Sequence, residues 1–190
     1  MKNKTLHKVI LIMVLLPLVA ITTTYAWIAL VDRTQPILIY SGSLEINAIL
    51  YQGFDDNDDG IVDYYEEYED DDLAFLNVVA NETFYFKIEI RNDGNIHGHL
   101  KIVFNQAEEN NLIFADHFSV NYLDPNTEVL TSKILNQTEL LLFEEYILER
   151  EATYVFEFMI LVGENVTNAH YGMSMIIDHI HLQLDQIRPS

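Results

Sequence analysis

The chain has 190 residues, 49% of them hydrophobic and 12% aromatic, with 30 acidic against 10 basic side chains and a formal net charge of −20. That length suits one domain with a complete core, and that charge excludes nucleic acid and anionic surfaces as partners of the domain. There is no cysteine, which excludes disulfides, thiol chemistry and cysteine-bound zinc.

In chain order, residues 1–26 read first as an export signal. Lys2, Lys4 and Lys8 make a basic start, 9–20 is almost wholly apolar, and a threonine-rich stretch ends at Ala26, where a signal peptidase is expected to cut. Cleavage there removes three lysines and no acid, taking the charge from −20 to −23. The alternative is an uncleaved anchor, since apolar character resumes at Trp27 and carries 9–31 close to a bilayer-spanning length. Pro17 and the threonines oppose it, and a membrane enters the reading by that route alone. Without cysteine, the expected setting is a bacterial cell surface or secretion from it, where the sequons at Asn81, Asn136 and Asn165 carry no glycan.

From 43 onward the hydrophobic period is mostly two. Leu44, Ile46, Ala48 and Leu50 predict one half-buried strand; Phe84, Phe86, Ile88 and Ile90 predict a second. Asn92, Asp93, Gly94 and Asn95 form a strong turn signal, and the strand over 96–104, with Ile96, Leu100, Ile102 and Phe104 inward, is expected to close a hairpin. Short helices are expected at 107–117 and 138–146, the latter because Leu140, Leu141, Phe143 and Ile147 recur at helical spacing after Thr138 as cap. Strand patterning returns at 118–123, at 153–161 with Tyr154, Phe156, Phe158 and Ile160 inward, and at 173–184. The fold expected is an all-β antiparallel sandwich with one or two short helices, its core supplied largely by the 21 Phe and Tyr. Neither an internal repeat nor a flexible linker interrupts it.

Residues 55–72 hold 11 acids and no base. A charge run is ordinarily a solvated face, but this one has metal-ligand spacing. Counting Asp55 as position one, Asn57 is three, Asp59 five, Gly60 six, Ile61 seven, Val62 eight, Asp63 nine and Glu66 twelve, which fills a calcium loop of EF-hand type. A hard cation takes six to eight oxygens: alternate side chains converge, the glycine permits the reversal, Ile61 lends its carbonyl and Glu66 closes the shell. Val62 is expected to pin the loop to the core. The entering segment alternates like a strand rather than a helix, so the site expected is a structural calcium site on a strand connection, with a dissociation constant of about 0.1 to 1 mM.

His97 with His99, and His179 with His181, are pairs two apart that share a strand face. Their apolar neighbours point the other way, so all four imidazoles are expected to face solvent, and they would meet as a zinc or copper site only on neighbouring strands. No zinc-protease, nucleophile-elbow, phosphate-loop or dinucleotide motif occurs, and the expectation is a protein that is not an enzyme.

Thr24-Tyr25-Ala26-Trp27, the strand Ser41-Gly42-Ser43-Leu44-Glu45-Ile46, the strand and turn from Phe86 to Asn95, and Asn168-Ala169-His170-Tyr171-Gly172 before a last strand ending near Gln186 together resemble the TasA/camelysin family of exported bacterial matrix and surface proteins. The chain departs from the family pattern in its longer apolar stretch after Ala26, and in Ala80-Asn81-Glu82-Thr83 where a Pro-Gly-Asp-type turn is common. The resemblance implies a jelly-roll-like sandwich, a dedicated signal peptidase, and self-association into fibres in which a freed N-terminal segment adds as a strand to the next subunit. By that reading residues 1–26 are the signal, 27–40 the donor segment and 41–190 the sandwich, with its calcium loop at 55–66. The alternatives are a membrane-anchored surface binding module and a secreted metallopeptidase of camelysin type, an activity for which this chain has no matching zinc motif.

Overall fold

A computed structural model of the chain describes residues 37–41, 44–57, 59–107 and 112–187. The expected signal or anchor, and residues 27–36 of the expected donor segment, lie outside the described residues.

Eleven strands form among the described residues: β1 (Ile37–Ser41), β2 (Ile46–Phe54), β3 (Tyr64–Glu67), β4 (Leu73–Leu76), β5 (Thr83–Asn92), β6 (Gly98–Gln106), β7 (Phe118–Leu123), β8 (Leu130–Ile134), β9 (Glu139–Leu148), β10 (Thr153–Val162) and β11 (Ser174–Gln186). One helical turn, α1 (Leu112–Ala115), and a 3-10 turn at Asn168–His170 complete the elements. The first sheet runs β11-β6-β9, with β1 and β4 sharing the other edge of β11; the second runs β3-β2-β5-β10-β7-β8. From β4 onward the chain changes sheet at every step except β7 to β8, so that the order 4-11-6-9 faces 5-10-7-8. That is a jelly roll, and the all-β sandwich expected from the sequence is the fold found.

The alternation that makes the strands also makes the core. Phe86, Ile88 and Ile90 on β5, and Phe156, Phe158 and Ile160 on β10, meet Leu100, Ile102 and Phe104 on β6 and Ile180, Leu182 and Leu184 on β11, all buried. Rings cross the gap between sheets, with Phe158 5.1 Å from Phe104 and Phe143 5.3 Å from Phe156, while Phe86 stacks on Phe158 at 5.3 Å within its own sheet. Each such side chain withdrawn from water contributes about 1.5–3 kcal/mol.

Three local expectations are corrected. Residues 138–146 are not a helix but most of β9. Leu140 and Leu142 point inward at period two, and then the ladder with β6 slips twice, between Leu100 and Ile102 and between Ile102 and Val103, while Glu145 takes φ of 64°. These bulges bury Phe143 beside Leu142 and return Leu148 to the core while Ile147 is exposed, so an irregular strand imitates helical spacing. Of the helix expected over 107–117, residues 108–111 lie outside the described residues, α1 is helical with Phe114 and Ala115 buried, and 116–117 are already turn. The hairpin expected around Asn92 does not form, because β5 and β6 belong to different sheets. Asn92 is wholly buried there. Its Nδ2 donates to the carbonyls of Ile96 (2.9 Å), Glu149 (3.1 Å) and Leu148 (3.4 Å), its Oδ1 accepts from Gly94 N (3.0 Å), and Asp93 N donates to Glu45 O (2.8 Å). The turn is a clasp across one end of the sandwich.

Candidate metal centre

The acidic loop joins β2 to β3, an antiparallel hairpin with Phe54 opposite Tyr64 and Gln52 opposite Glu66. The Phe54 and Tyr64 rings stack at 5.1 Å, and Asp63 N donates to Phe54 O at 2.8 Å, so the two ends of the loop are tied. Within that frame the carboxylates turn onto the loop's own amides. Asp59 N donates to Asp55 Oδ1 (3.2 Å) and Asn57 Oδ1 (2.9 Å), Gly60 N to Asp55 Oδ2 (2.7 Å), Ile61 N to Asp59 Oδ1 (2.9 Å), and Asp56 N to Asp63 Oδ2 (2.9 Å). The side chains at positions one, three, five and nine are thereby drawn into one small loop. Gly60 has φ of +83°, and a Cβ added there would meet nothing within 4 Å. The backbone angle alone demands glycine.

Position twelve behaves differently. In an EF-hand the departing chain is a helix, whose first turn brings the twelfth residue back to the ion. Here the departing chain is a strand. Glu66 is exposed, paired with Gln52 and on the opposite face from Tyr65, three extended residues or about 10 Å along the chain from Asp63. The structure therefore groups Asp55, Asn57, Asp59 and Asp63 on the loop that carries Ile61, and sets Glu66 apart. Among the described residues no group of three or more His, Asp or Glu stands assembled as a metal cage.

Two residues that the sequence reading did not single out hold the hairpin down. A Cβ on Gly53 would lie 2.9 Å from Val62 Cγ1 and from the Tyr65 ring. Glycine there lets half-buried Val62 settle on the outer face of the sheet, not in the core as expected. Lys87 on β5 lies 4.4 Å from the Tyr51 ring centre and 4.8 Å from that of Tyr65, with Glu89 Oε1 at 2.9 Å, and so rivets β2 and β3 to β5. A glycine in an otherwise alternating strand was the readable signal for the first; nothing local marks the second.

His99 lies on β6, with His97 just before that strand, and His179 and His181 lie on its neighbour β11. Their register separates them. His99 is opposite Asp185, four residues from His181 or about 13 Å, so the four imidazoles form no common site. His97 is exposed; His99, His179 and His181 are half-buried, not open to solvent as expected. His99 Nδ1 donates to the Glu145 carbonyl at 3.2 Å.

No helix among the described residues is long and apolar enough to cross a membrane. Comparison with family models, with curated proteins and with solved structures finds no match for this chain.

Proposed function

We propose that this chain is an exported, non-enzymatic surface or matrix protein of TasA/camelysin type, which binds one structural calcium ion and self-associates. Calcium is taken by Asp55, Asn57, Asp59 and Asp63 with the Ile61 carbonyl, and water completes the shell; Glu66 is left out by the hairpin exit. What supports the calcium reading is the hydrogen bonding of the loop, which gathers oxygens of positions one, three, five and nine on one tight turn.

The observation that carries assembly is β1. It is the one parallel strand among the described residues, lying along the edge of β11 with Ile37 opposite Ile180 and Ser41 opposite Leu184. Residues 37–40 of the expected donor segment thus have a strand partner in their own chain, and the same groove in a neighbouring subunit offers an identical one. The apolar stretch 9–31 favours a second reading, a surface binding module kept on the membrane by an uncleaved anchor; retention of residues 1–26 in the mature protein decides for it.

The test is light scattering of the chain from Trp27 onward, stripped with chelator and titrated with calcium. Growth of particle size joins the loop to assembly. Particles that grow without calcium leave the ion a staple only, and a monomer throughout overturns self-association.

A further inference from the structure

The outward face of the β11-β6-β9 sheet carries a row of side chains built by register. His179 on β11 is opposite Asn105 on β6, and Asn105 is opposite Glu139 on β9. The β11 ladder is irregular between Ile177 and His179, and since Ile177 and Ile180 are both buried, Asp178 and His179 between them both turn outward. Asp178 Oδ2 lies 3.2 Å from His179 Nε2. In the neutral imidazole this contact puts the ring proton on Nε2 and leaves Nδ1 its lone pair. Nδ1 is buried without a hydrogen-bond partner, and so is the neighbouring Asn105 Oδ1. Buried polar atoms on register-paired residues that lack a partner cost free energy that a bound cation removes.

The second imidazole stands close by. The His179 and His181 rings are parallel to within 7°, with centroids 6.4 Å apart, and Asn105 Nδ2 is 3.3 Å from His181 Nε2. With a metal–nitrogen bond near 2.0–2.1 Å, an imidazole centre sits about 3.2 Å from its ion, so two rings on one ion are at most about 6.4 Å apart. The rings stand face to face at that limiting distance, so both must turn about χ1 and χ2 for one nitrogen of each to reach a common ion.

We propose that His179 and His181, with Asn105 Oδ1 and Glu139 beside them, form a site for one divalent transition-metal ion, Zn2+ or Cu2+, on the outer face of this sheet. Imidazole donors select such ions over calcium, so the site is chemically distinct from the hairpin loop and is independent of it. Asp178 is a positioning residue, fixing the His179 ring by its contact with Nε2.

The experiment is calorimetric titration of the chelator-stripped full chain with Zn2+, and separately with Cu2+, in the presence of millimolar Ca2+. One equivalent is expected to bind in the micromolar range. Affinity is expected to fall roughly tenfold or more in His179→Ala and in His181→Gln, and to stay unchanged in Asp59→Ala and in the His97→Ala/His99→Ala double variant. Circular dichroism of each variant checks its fold, and His181→Gln keeps the volume of the ring's neighbour space largely filled. Neither ion binding to the native chain, or uptake unchanged in the His179→Ala/His181→Gln double variant, overturns the proposal.

Discussion

Two turns of this molecule read alike in the sequence: the acidic loop between β2 and β3, and the Asn92-Asp93-Gly94-Asn95 turn after β5. Both are short, polar and glycine-bearing, yet only the first closes a hairpin. Its hydrogen bonds run between residues two to nine apart, so the loop specifies its own shape. The second has local bonds to Ile96 and Gly94 but also needs carbonyls 56 and 57 residues away, so it is completed only when the sandwich exists. A turn that closes on itself is a detachable device; a turn closed by remote strands is part of the fold.

Substitution should separate them. Asn92→Ala is expected to be the most damaging, costing about 3 kcal/mol because several buried backbone groups lose their partner at once; urea unfolding measures it, and a loss under about 1 kcal/mol would reduce the clasp to an ordinary surface turn. Next is calcium. At 10 mM ion and a dissociation constant of about 0.1 to 1 mM, binding stabilises by about 1.4–2.7 kcal/mol. Thermal unfolding with and without chelator reads this as a shift in Tm, which Asp59→Ala should abolish; the same shift in the variant would sink the hairpin site. Gly60→Ala should cost about 1 kcal/mol through its positive φ alone, equally with and without calcium if the strain is purely backbone, as paired denaturant titrations would show. Glu66→Ala is expected to leave both stability and the calcium shift within about 0.5 kcal/mol of the parent. A lost shift there would restore the twelfth position as a ligand.

What was legible followed the same division. Period-two burial on β5, β7 and β10 was readable because one face meets core and the other water. The spacing of Asp55, Asn57, Asp59 and Gly60 was readable because the loop is contiguous. β9 was misread because its bulges break the period, and the Asn92 turn because turn chemistry says nothing about which sheet the next strand joins. Glu66 fits the calcium pattern in one dimension, and a strand instead of a helix carries it off. Least legible was the row His179, Asn105 and Glu139, drawn from three strands and set by two registers and a bulge. The histidine pairs were visible, but their true neighbour is an asparagine some 74 residues upstream, which no motif flags.

The parallel pairing of β1 with β11 has a temporal consequence. It joins Ile37–Ser41 to residues 180–184, so the first of the described strands waits for the last of them. Contacts so distant along the chain form late, after the cost of closing a long loop is met. During synthesis and folding, every copy therefore passes through an interval in which β1 has no partner of its own while the sandwich around its future groove is nearly built. Local concentration, rather than any change in affinity, then decides whether that groove is filled from within or from next door.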